Sequence, residues 1–114
     1  MISHVAADSK QEFNELLEEQ VTQLAGDAAR AFAPCRVPIA TAVIRRSAAA
    51  GDETVFYVAM TLDGILYFDD VEYGFNFSPL DSSGMILQPG GSQMNLADGV
   101  RTWLVPRLLT EEQV

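Results

Sequence analysis

Residues 53–69, ETVFYVAMTLDGILYFD, decide the fold. From Glu53 to Thr61 the run is rich in Val, Phe, Tyr and Thr, which suit a pleated and half-buried strand. Phe56, Val58 and Met60 fall on one face at a period of two, and Val55, Tyr57 and Ala59 on the other. Both faces are apolar, so the strand is expected inside its sheet and not at an edge. Asp63-Gly64 then separates it from a second apolar run, Ile65 to Asp69. That dipeptide favours a two-residue type I′ turn, because both central positions need positive φ. The stretch reads as an antiparallel hairpin.

Outward from this hairpin the same period continues. Ile39 to Ser47 reads as a strand before it, joined through a loose loop at Ala48–Asp52. Tyr73 to Phe77 reads as a strand after it, with Tyr73, Phe75 and Phe77 on one face. Met85 to Gln88 is a candidate short fifth strand. Strands in series, without helices between them, indicate an α+β domain with an antiparallel meander of four to five strands.

Before the strands the period is helical. Phe13, Leu16, Leu17, Val21, Leu24, Ala28 and Phe32 recur at steps of three and four, a stripe on one long helix from Ser9 to Ala33. Ser9 with Glu12 reads as a capping box, and Pro34 as the stop. After the strands, Pro89-Gly90-Gly91-Ser92 is a loop. Leu96, Val100, Trp103 and Leu104 then form a short helix, with Asn95 and Asp98 resembling a cap and Pro106 ending it. The 114 residues are the size of one domain, 1–114, and at 48% hydrophobic and 20% charged the chain is not disordered. At this mass about two-thirds of the unfolded surface can be buried.

Charge narrows the function. The formal net charge is −9, which disfavours nucleic acid and anionic membranes because their phosphates would be repelled. Met1 to Lys10 has neither a basic n-region nor a long apolar run, so no signal peptide is read and a soluble cytoplasmic protein is expected. Cys35 is the only cysteine and His4 the only histidine. Neither has a sequence-apparent partner for nucleophilic work or a zinc site, so no enzyme and no cofactor are expected. The Pro89–Ser92 loop lacks the Lys-Ser/Thr of a phosphate-binding loop.

The acids are distributed unevenly. Between Arg46 and Arg101 there is no Lys or Arg, while Asp52, Glu53, Asp63, Asp69, Asp70, Glu72, Asp81 and Asp98 fall in that span. Asp69-Asp70-Val71-Glu72 lies between two aromatic-rich strands, where a turn would project carboxylates outward. A solvated turn is the plain reading. A Ca²⁺ site fits poorly, since Val71 and Tyr73 fall where an EF-hand needs ligands. An acidic surface for a basic protein partner is the third, with Asp63, Tyr67, Asp69, Asp70, Glu72, Tyr73 and Asp81 as its residues. Tyr67 and Tyr73 are expected exposed there, as anchors with a polar tip.

The leading functional reading is therefore a small acidic module that neutralises or regulates a basic protein by occlusion. Bacterial immunity proteins, which inhibit toxins, illustrate the class by size and charge alone. A second reading is a small-ligand binder or minor enzyme with a pocket between the sheet and the N-terminal helix, though no polar group is evident in sequence for that role. A third is a homo-oligomeric structural protein, associating through a strand edge or the Trp103 helix.

Overall fold

Four strands pair antiparallel in chain order: β1 (Arg36–Ser47), β2 (Gly51–Thr61), β3 (Gly64–Asp69) and β4 (Gly74–Ser78). The structure, a computed structural model, describes residues 2–47, 51–87 and 89–108, with side chains left out at 2–9, 46 and 47. The fold is the expected α+β meander, and β2 lies between β1 and β3. Ala48 to Ala50 of the expected β1–β2 loop are outside the described residues.

Two details of the central hairpin differ from the sequence reading. Its turn residues are Leu62 and Asp63, neither with positive φ, so the turn is not type I′. Gly64 already pairs with Thr61 as the first residue of β3. Glycine is needed there for space, since a Cβ would sit 2.6 Å from the Phe77 ring and from the Ser78 carbonyl oxygen. The second difference is a bulge in β2. Tyr57 pairs with Tyr67 but Ala59 with Leu66, which leaves one extra residue on β2. Val58 and Ala59 are therefore both buried in one core, and Met60 moves to the face of its ladder partner Ile65.

Among the described residues the fifth strand does not form. Met85 makes an isolated bridge with Val43 and Ile86 another with Leu80, while Gln88 is outside the described residues. Asp81 accounts for this locally. Its carboxylate accepts the Ser83 and Met85 N–H groups at 2.8 and 3.0 Å, which bends the chain where a strand would have to extend.

The N-terminal helix is two helices, α1 (Ile2–Val21) and α2 (Gly26–Cys35). After Val21 the Thr22 hydroxyl donates to the Glu19 carbonyl, and Gln23 and Leu24 bond three residues back, which tightens and ends the helix. Gly26 at φ 59° then redirects the chain. Ser9 lies inside α1 and is no cap. Pro34 falls in the last turn of α2, which closes one residue later with the Arg36 N–H on the Phe32 carbonyl.

These helices cover one face of the sheet. Phe13, Leu17, Ala28, Ala31 and Phe32 pack on Val58, Leu66, Phe68 and Phe75. Phe13 anchors α1, with its ring 5.3 Å from Phe56 and 5.2 Å from Phe68. A short α3 (Leu96–Gly99) completes this face. The Asn95 side chain caps it by accepting the Asp98 N–H at 2.8 Å, and Gln20 of α1 accepts the Leu96 N–H at 2.6 Å. The chain continues as a π-helical stretch, Val100–Leu104, and a helical turn at 105–108. Pro106 thus does not end the helix. Proline in a regular α-helix opposes the carbonyl four residues back, and here the preceding turn is widened, with the Val105 N–H on the Val100 carbonyl five residues back.

The opposite face holds a second core of Ala42, Ile44, Val55, Ile65, Tyr67 and Ile86. It is covered by the irregular chain between β4 and α3. Gly90 donates to the Tyr67 hydroxyl at 3.0 Å, and Asn76 exchanges two bonds with the backbone of Ser92, at 3.1 and 3.2 Å.

Candidate protein-binding surface

The turn between β3 and β4 is organised by a buried carboxylate. Asp69 closes β3 and is fully buried, where its Oδ1 accepts the N–H groups of Val71 at 2.9 Å and Glu72 at 3.3 Å. An aspartate that holds its own following backbone in this way tightens a turn without needing glycine. Tyr73 closes the turn at φ 60° and packs its ring nearly perpendicular to that of Phe68, with centroids 5.3 Å apart. The next residue, Gly74, has no room for a side chain, because a Cβ would overlap the Gln93 backbone crossing it.

The outer surface of this turn is Asp70, Val71, Glu72 and Tyr73. Asp70 is exposed and Glu72 half-buried. Val71, between the two acids, is 62% exposed and Tyr73, directly after them, 64%, large values for an aliphatic and an aromatic side chain. Val71 was missed by the sequence reading, which weighed only the charged and aromatic positions around it.

The other four predicted residues serve the fold. Tyr67, expected at the surface, is fully buried and holds Gly90. It shares a face with Ile65, two residues away, and that parity was the available signal. Asp69 points inward to the backbone of its own turn. Asp63 is exposed but lies in a two-pronged ion pair, with Arg107 Nε on Oδ1 at 3.0 Å and Nη2 on Oδ2 at 2.6 Å. The Arg107 guanidinium, helped by the Thr61 hydroxyl, holds the Asp63 carboxyl well below the usual carboxylate range. Arg107 also lies 4.3 Å over the Phe77 ring, so the pair ties the last helical turn to the sheet. Asp81 is bound within its own loop, and the Ser83 hydroxyl, then the Met85 and Ser83 amides, hold its carboxyl low.

Two further acids of the central span are matched to cations, Asp52 with Arg45 at 2.9 Å and Asp98 with Arg101 at 3.8 Å. Asp70, Glu72 and Tyr73 are thus the predicted residues that one surface brings together. Among the described residues no group of three or more His, Cys, Asp or Glu is placed to hold a metal. No helix among them is long and apolar enough to cross a membrane. Comparison with family models, with curated proteins and with solved structures gives no match for this chain.

Proposed function

We propose that the protein is a small acidic binding module that occludes a basic protein partner through the β3–β4 turn, in the manner of an immunity-type inhibitor. The observation that carries this reading is the exposed pair Val71 and Tyr73 on a turn fixed from below by buried Asp69. A contact of this kind takes its energy from a desolvated apolar or aromatic anchor, and its partner choice from the charges around it. Asp70 and Glu72 supply those charges, and the net charge of −9 adds long-range attraction for a cationic surface. Because the turn is already built in the free protein, little ordering cost falls on binding.

The test compares two double charge reversals in binding to a basic protein isolated from the source cell. Asp70→Lys with Glu72→Lys alters the turn, and Glu15→Lys with Glu19→Lys alters the exposed side of α1 by the same net charge. The turn variant is expected to slow association at least tenfold at low salt, with the helix variant close to wild type. Tyr73→Ala is expected to act mainly on dissociation. Equal losses in the two double variants would reduce the effect to total charge and remove the turn as a site.

A further inference from the structure

A groove distant in character from the acidic turn runs between the N-terminal helices and the start of the sheet. Lys10 and Asn14 line it from α1, Ala33 from α2, and Arg36, Val37 and Ile39 from β1. Its volume is about 540 Å³ and it opens to solvent. That size suits a small organic molecule.

Among the described residues the pairing of the cations singles out this groove. Arg30, Arg36, Arg45, Arg101 and Arg107 lie within 4 Å of the carboxylates of Asp27, Glu18, Asp52, Asp98 and Asp63 respectively. Among the described residues Lys10 has no such partner, and α1 offers it none, because Ala6, Ala7, Phe13 and Asn14 occupy the neighbouring helical positions. Asn14 lies one turn on from Lys10, so an ammonium and an amide border the same groove. Arg36 is held separately, by Glu18 and by the Phe32 ring 5.6 Å from its guanidinium carbon. Ala33, Val37 and Ile39 supply apolar surface beside these polar groups.

We propose that this groove binds a small organic anion, a carboxylate bearing an apolar chain. Lys10 and Asn14 receive the carboxylate, and the chain lies along Ala33, Val37 and Ile39. A single negative charge matches the Lys10 ammonium, which has no acid within 4 Å among the described residues. A phosphate dianion fits less well, since Arg36 is already matched by Glu18 and that carboxylate would repel the second charge. This site is independent of the β3–β4 turn and supplies the polar groups that a small-ligand reading of the sequence lacked.

Octanoate and its neutral isostere octanamide are the probes, titrated into the full chain and followed by amide chemical shifts and calorimetry. Octanoate is expected to shift the amides of Lys10, Asn14 and residues 36–39, and to bind about tenfold more tightly than octanamide, as a charge-assisted contact requires. Lys10→Glu is expected to weaken octanoate at least tenfold and so to remove its preference over octanamide. Ala33→Trp, at an exposed position, is expected to fill the groove and weaken both. Circular dichroism checks that each variant keeps the fold. The proposal is overturned if octanoate shifts no amide in the groove, if octanamide binds equally well, or if either variant binds octanoate like the wild type.

Discussion

The two faces of the sheet are closed by different chemistry. One is covered by helices, and its contacts are Phe13, Leu17, Phe32, Phe75 and Leu96, with scarcely a polar atom among them. The other is covered by irregular chain, and there the sheet presents Tyr67, Asn76 and Ser78 as buried polar side chains. The reason lies in the cover. A helix satisfies most of its own N–H and C=O groups, so the sheet beneath it needs only apolar surface. An irregular strap does not, and the sheet must supply its missing partners. Asn76 does so on both counts, accepting the Ser92 N–H and donating to the Ser92 carbonyl.

This contrast orders the expected effects of substitution. Leu17, 1% exposed under the helix face, is expected to cost about 2–5 kcal/mol as Leu17→Ala in chemical denaturation, because the cavity cannot refill fully. Asn76→Ala on the strap face is expected to cost about 1–3 kcal/mol, the range for leaving buried polar groups without partners. Its signature is local, with faster hydrogen exchange at the Ser92 amide while the helix amides keep their protection. If Asn76→Ala proved the costlier change, the ranking of the two faces would be reversed. Tyr67→Phe keeps the ring and removes one bond to Gly90, so about 0.5–1.5 kcal/mol is expected.

The smallest effect belongs to the surface clamp. The Asp63 carboxyl titrates lower in the folded protein than in the unfolded chain, so its contribution is complete above the unfolded carboxylate value of about 3.9. It is lost as pH falls through the lower folded value. Since the pair faces solvent, about 0.5–1 kcal/mol is expected. Asp63→Asn is therefore expected to differ from wild type by a constant amount above pH ~5, with the gap closing toward pH ~2. A gap that widened in acid would mean that the folded protein does not hold the Asp63 carboxyl low.

The helix face was the legible one. Its residues repeat at helical or strand periods, and Phe13, Leu17 and Phe32 could be assigned to the core by spacing alone. What escaped there were interruptions set by single side chains, such as the Thr22 bond that ends α1 and the bulge at Val58. The strap face has no period, and its organisation rests on pairs distant in sequence, as with Tyr67 and Gly90. The arrangement of the acids was half legible for a related reason. Composition located the carboxylates, but whether a carboxylate meets solvent, its own backbone or an arginine depends on partners such as Arg107, far along the chain from Asp63. Charge alone did not distinguish Asp69, which builds the turn, from Asp70, which faces out of it.

The strap also bears on how long the folded molecule lasts. The sheet consists of hairpins between neighbours in sequence, which close short loops and so form early. The strap can be laid down only on a face that already exists, and its bonds from Gly90 to Tyr67 and between Ser92 and Asn76 join positions 23 and 16 residues apart. Bonds made after the rate-limiting step leave the folding rate unchanged and slow unfolding. Tyr67→Phe and Asn76→Ala are therefore expected to shorten the residence time of the native state in stopped-flow unfolding while leaving the speed of reaching it unchanged, with release of the strap as the first step of decay.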